Sequence, residues 1–153
     1  MSAKRSTIEK REKQISAADL GIDLTSMRED ASFRWFLACV LFGKPIQQEV
    51  ARRTYQEFVK EGLTTPEAII QAGWDKLVQV LDEGHYTRYD FSTATKLLDI
   101  MKHLQETYGT LLSLIEGCHS KEEISSRLQE FKGIGPKTAE IFLRDLPDSF
   151  SHT

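Results

Sequence analysis

The chain has 153 residues, enough for one domain with a buried core and few for two. Its formal net charge of -3 argues against holding nucleic acid by bulk positive charge, while leaving room for backbone amides or a local basic stripe. Cys39 and Cys118 stand far apart and match no metal spacing, so neither a disulfide staple nor a cysteine-ligated metal is expected.

Helix signals recur along the chain and strand signals do not. Ser6 and Glu9 have capping-box spacing and open a charged helix to about Ala18. Ser26 and Glu29 repeat that spacing ahead of Phe33, Phe36, Leu37, Val40 and Leu41, whose three-to-four-residue recurrence predicts an amphipathic to fully buried helix. Cys39 falls inside this apolar run and reads as a small core residue. Gly43-Lys44-Pro45 ends that helix and opens another, with Pro45 in its first turn and Val50, Tyr55, Phe58 and Val59 on its apolar side.

Thr64-Thr65-Pro66-Glu67 is a further start signal, followed by two short helices separated at Gly73. Gly84-His85-Tyr86 reads as a turn. From Asp90, the positions Ala94, Leu97, Leu98, Met101, Leu104 and Tyr108 follow the spacing of one helix face. A short apolar segment runs from Leu111 to Ile115. Ser120 and Glu123 then cap a helix with Ile124, Leu128 and Phe131 inward, and Pro136 starts a last one carrying Ala139, Phe142, Leu143 and Leu146. Roughly nine short helices in one all-α domain are expected, with Trp35 and Trp74 in the core. Residues 1–25 read as an N-terminal helical extension, 26–146 as the domain and 147–153 as a polar tail. No apolar run has the length of a membrane span and no apolar stretch follows the N-terminal charges, so a cytoplasmic chain without a membrane partner is expected.

The run Phe131-Lys132-Gly133-Ile134-Gly135-Pro136-Lys137-Thr138-Ala139 carries the most specific chemistry. Gly133 falls where a helix commonly ends in a left-handed residue, and Gly135 leaves the backbone bare at the next helix start. Pro136 has no amide to waste there. The result is a helix N-terminus whose free N–H groups and dipole suit a phosphate, with Ile134 plugging back between the helices. By spacing alone, a helical hairpin with glycines for close packing explains the run equally well.

The residues around it weigh toward phosphate. The run resembles the second half of the helix-hairpin-helix motif of the endonuclease III superfamily of DNA glycosylases, matching its pattern at Phe131, Gly133, Ile134, Gly135, Lys137, Thr138 and Ala139. Leu37 to Phe42 resembles that family's first buried barrel helix. Thr65-Pro66-Glu67-Ala68 is similar to a helix start there, and Gly84-His85-Tyr86 to its glycine–apolar–tyrosine turn. These matches run in the family's order over about residues 31 to 145.

The resemblance implies a six-helix-barrel-like, orthogonal helical domain ending in a helix-hairpin-helix motif at 131–137, and a DNA-binding protein of base-excision repair. It implies that Gly133, Ile134, Gly135, Lys137 and Thr138 hold the backbone of duplex DNA, often with a monovalent cation on the hairpin carbonyls. Lys137 occupies the slot of the family's Schiff-base lysine, which must be partly neutral to attack; read from the residues, it is equally a phosphate contact or an i,i+3 partner of Glu140. Gln47 and Gln48 lie near the slot of a glutamine that wedges into the duplex when a base is flipped. Two family features are missing. The catalytic aspartate would fall beyond Thr153, and neither Asp145 nor Asp148 has its context. The four-cysteine loop is absent, so no iron–sulfur cluster or other cofactor is expected. The second domain of the family would be half built, which leaves room for a protein partner or self-association. The competing expectations are a glycosylase/AP lyase, a non-catalytic DNA-binding module, and a helical interaction protein.

Other residues carry less. Arg52-Arg53 and the cluster Lys4, Arg5, Lys10, Arg11 and Lys13 read as solvated helix faces, with phosphate contact as the alternative. His85 reads as a surface turn residue, and His103, His119 and His152 share no ligand spacing.

Overall fold

The computed structural model describes residues 14–26 and 28–148. The start of the predicted helix from Ser6, the basic cluster from Lys4 to Lys13, His152 and the end of the tail lie outside them; the expected end of that helix is corrected, since residues 14–17 are not helical and a 3-10 turn follows at Ala18–Leu20. The described chain is all-α, with no strand among these residues. Its seven α-helices are α1 (Glu29–Phe42), α2 (Gln48–Lys60), α3 (Pro66–Glu83), α4 (Asp90–Thr107), α5 (Leu111–Glu116), α6 (Lys121–Leu128) and α7 (Pro136–Arg144). Three 3-10 turns, at Ala18–Leu20, Leu24–Ser26 and Thr87–Tyr89, complete it. α3 is broken at Gly73, whose φ of 82° lets two helical segments meet at an angle, as the glycine predicts.

α1 is the centre. From Trp35 to Leu41 every side chain is fully buried, because α2, α5 and α7 pack around it on several sides. A helix enclosed in this way has no polar face to keep, which is why its sequence is nearly continuous in apolar residues. Trp35 Nε1 donates to the Phe142 carbonyl at 3.1 Å, tying α1 to α7. Phe36 meets Phe131 at 6.3 Å and Phe142 edge-on at 6.0 Å between ring centroids. His103 and Tyr108 close on the other side of Phe131, at 4.4 and 6.3 Å. The segment entering α7 is therefore fixed in an aromatic cluster.

Several local expectations are corrected. Ser26 does not cap α1: the N-cap is Arg28, without a side-chain bond, and Ser26 Oγ donates to the Asp23 carbonyl instead. The Glu29 carboxylate reaches across to accept the Leu111 and Leu112 amides at 3.2 and 2.7 Å, so it caps α5 rather than its own helix. Pro45 precedes α2, whose N-cap is Gln47, because the chain takes two more residues, Ile46 and Gln47, before the helix begins. Val59 faces outward, and Trp74 lies 38% exposed, its ring tilted against Phe91 at 5.1 Å between centroids and its indole N–H donating to Thr95 Oγ1. Thr65, Thr110 and Ser120 cap α3, α5 and α6 through their hydroxyls.

Residues 14–17 are strapped to the body. Arg144 donates to the Gln14 side chain and the Ile15 carbonyl at 2.8 and 3.0 Å, the Ala17 amide donates to Asp145 Oδ2 at 2.7 Å, and the Ile15 amide donates to Gln48 Oε1 at 3.0 Å. Ile15, Ala17, Ile22 and Leu24 are buried against the core. Asp145, at the C-terminal end of α7, thus holds residue 17, and Asp148 pairs with Lys121 at 3.3 Å.

Candidate nucleic-acid interface

The turn between α6 and α7 is anchored from beneath and open above. Phe131 and Ile134 are buried, with Ile134 plugging inward as predicted. Gly133 has φ 90°, a left-handed backbone that only glycine adopts without strain. Gly135 is extended, and nothing lies within 4 Å of the place a Cβ would occupy. α7 then starts at Pro136 with no side-chain cap. Among the described residues, the amides of Gly133, Gly135, Lys137 and Thr138 donate to no protein acceptor. The Ile134 amide is not available: it donates to the Phe131 carbonyl at 3.0 Å. Of the five hairpin residues predicted to hold a phosphate, Ile134 therefore contributes packing and the others contribute N–H groups. These unpartnered amides lie at the positive end of a nine-residue helix, an end that favours an anion. The carbonyls of Gly133 and Ile134 also accept no protein backbone amide among the described residues.

The Thr138 side chain is buried, and its Oγ1 stands 2.2 Å from where a Cβ on Gly43 would be. Gly43 permits this close approach, which seats the α1–α2 turn directly on α7. Lys137 is exposed and forms no ion pair with Glu140. It lines a cleft of about 180 Å³ with Gln14, Phe42, Gln48, Glu140 and Arg144. The structure thus brings Lys137 and Gln48 to one cleft. Gln48 Oε1 is engaged there by the Ile15 amide, whereas Gln47 is exposed as the N-cap of α2.

Two cations that sequence reasoning did not single out, Lys96 and Lys44, stand beside the turn. The Lys96 stem, on α4, covers Gly133: its Cδ lies 2.5 Å from the position of a Cβ there. Lys44, on the turn seated on Thr138, is the charged neighbour of Lys96. Its Nζ sits 5.0 Å from the centre of the Tyr89 ring, and the Arg88 guanidinium lies 5.3 Å from the same ring. Further on, Arg53 Nη1 donates to His85 Nδ1 at 3.0 Å, which requires a ring unprotonated at that nitrogen. His85 itself is exposed and has φ 69°, unusual for a residue with a side chain. Lys44, Arg53, Arg88, Lys96, Lys132 and Lys137 meet no carboxylate within ion-pair distance among the described residues, whereas Arg34, Arg52, Lys76, Lys121 and Arg127 each do. Burial, with the Lys44 ammonium beside it, lowers Lys96 to about 8.

Among the described residues no cluster of histidine, cysteine or carboxylate side chains could hold a metal, and no helix is long and apolar enough to cross a membrane. Compared with family models, curated proteins and solved structures, the chain matches none of them.

Proposed function

We propose that this chain is a DNA-backbone-binding protein of the endonuclease III-like, helix-hairpin-helix kind, acting on duplex DNA in base-excision repair. In this reading α6, the 129–135 turn and α7 are the helix-hairpin-helix motif, and the body is a six-helix-barrel-like domain. The observation that supports it most is the set of unpartnered amides at Gly133, Gly135, Lys137 and Thr138, beside the buried Phe131 and Ile134. A monovalent cation on the free hairpin carbonyls would add positive charge beside the phosphate. Gly133→Glu puts a carboxylate and a side chain into that surface; loss of duplex binding in this variant, with the circular dichroism spectrum retained, is the expected outcome. Unchanged binding by Gly133→Glu overturns the reading.

A second reading, AP lyase chemistry, is favoured by the cleft that Lys137 shares with Gln48. The Lys137 amine would attack the aldehyde carbon of an abasic sugar, water would leave, and a Schiff base would form. Borohydride reduces that C=N bond to a stable amine, so the test is covalent trapping on abasic-site duplex. An adduct in the wild type that is lost in Lys137→Ala supports the lyase. Salt-sensitive binding without an adduct leaves the non-catalytic module.

A further inference from the structure

Lys44 and Lys96 are arranged in a way the fold alone does not need. They come from distant parts of the chain, on the α1–α2 turn and on α4, and both border the hairpin: the Lys96 stem lies over Gly133, and the turn carrying Lys44 packs through Gly43 on Thr138. No carboxylate pairs with either among the described residues. Lys96 is half-buried, its stem laid over Gly133, so its ammonium loses water without gaining a counter-charge. Lys44 is held over the face of Tyr89, which Arg88 flanks as well, and its turn is fixed on α7 by the contact between Gly43 and Thr138. Repulsion and desolvation both disfavour this arrangement in the free protein. An anion bound beside these ammonium groups supplies the missing counter-charge and offsets both effects. Through Gly133, the pair is also continuous with the amide surface of the hairpin.

We propose that Lys44 and Lys96 form a second phosphodiester site, taking a DNA backbone phosphate next to the one held by the hairpin amides. This rests on the reading of the hairpin as a DNA grip and adds to it a track running across the α1–α2 turn toward Tyr89 and Arg88. A side chain that merely shields Gly133 would need only its methylenes; the site proposed here needs the charge.

The test uses the full chain and a fluorescein-labelled duplex, with affinity measured over a series of salt concentrations. Each lost phosphate contact lowers the slope of log affinity against log salt by about 0.9. Lys96→Met keeps the stem over Gly133 and removes the charge; Lys44→Gln does the same for the partner. Each is expected to lower the slope by about 0.9 and to weaken binding equally on unrelated duplex sequences. Lys96→Arg is expected to keep the wild-type slope. Thermal melting confirms that the variants are folded, and the turn variant Lys44→Gln carries the test if Lys96→Met is not. A wild type that binds and loses binding in Gly133→Glu, yet keeps its slope in both lysine variants, overturns this inference alone. A wild type that does not bind duplex DNA overturns both this inference and the reading beneath it.

Discussion

Gly133 answers to two constraints at once. Its φ of 90° disfavours any side chain, and the Lys96 stem already fills the space a Cβ would take. Gly133→Ala is therefore expected to destabilise the fold by about 1–2 kcal/mol from the backbone conformation, with displacement of Lys96 adding to it; urea unfolding measures the loss. Lys96 gives a second prediction. Its folded value of about 8 lies below the ordinary 10.5, so between these the unfolded chain binds more protons than the folded one. Stability then rises with pH through that window, and the Lys96 cost is fully present below pH 8. Urea midpoints at pH 7 and pH 10 should bring the wild type up relative to Lys96→Met; a difference independent of pH would contradict this. The glycines and Lys137 were legible in the sequence because their spacing is itself the signal. Lys96 was not, since between Thr95 and Leu97 it reads as one more charge on a helix, and its neighbours Lys44 and Gly133 arrive only through tertiary packing.

At the scale of elements, local capping rules worked where the cap is local. Ser120 and Thr65 sit where the sequence puts them, each accepting an amide three residues on. Glu29 did not, because its carboxylate is taken by α5, a six-residue helix too short to hold itself. Burial raises the Glu29 carboxyl above its ordinary value, while the two amides it accepts work against that shift. Glu29→Ala leaves those amides without their acceptor and is expected to cost about 1.5–3 kcal/mol, with the Leu111 and Leu112 amides losing hydrogen-exchange protection ahead of α1. Equal protection in the variant would show that Thr110 caps α5 unaided. Pro45 was misplaced for a similar reason. A proline before a helix and a proline in its first turn look alike in sequence, and only the α1–α2 turn packing on Thr138 distinguishes them.

For the molecule as a whole, the interior was more legible than the surface. Apolar recurrence identified most of the core around α1, whereas Trp74 and Val59, apolar by type, lie partly in solvent. Periodicity reports which face of a helix is apolar, not whether a neighbour arrives to cover it. Phe131 links interior and interface, since it belongs to the aromatic cluster and also opens the turn bearing the amides. Phe131→Ala is expected to cost about 3–5 kcal/mol in calorimetric or urea unfolding. Phe131→Leu, which keeps most of the volume, should cost markedly less and leave duplex affinity near wild type.

The contact between Gly43 and Thr138 bears on what such a protein can measure. With no room for a β-carbon between them, the turn carrying Lys44 and the helix carrying the amides cannot slide past one another. If both anion sites proposed above take phosphates, their fixed separation makes them a ruler: a strand whose neighbouring phosphates match that spacing would satisfy both, and a compressed, stretched or slack backbone would satisfy one. Widening the gap with Gly43→Ala should therefore blunt discrimination between regular duplex and flexible single strand before it abolishes binding to either.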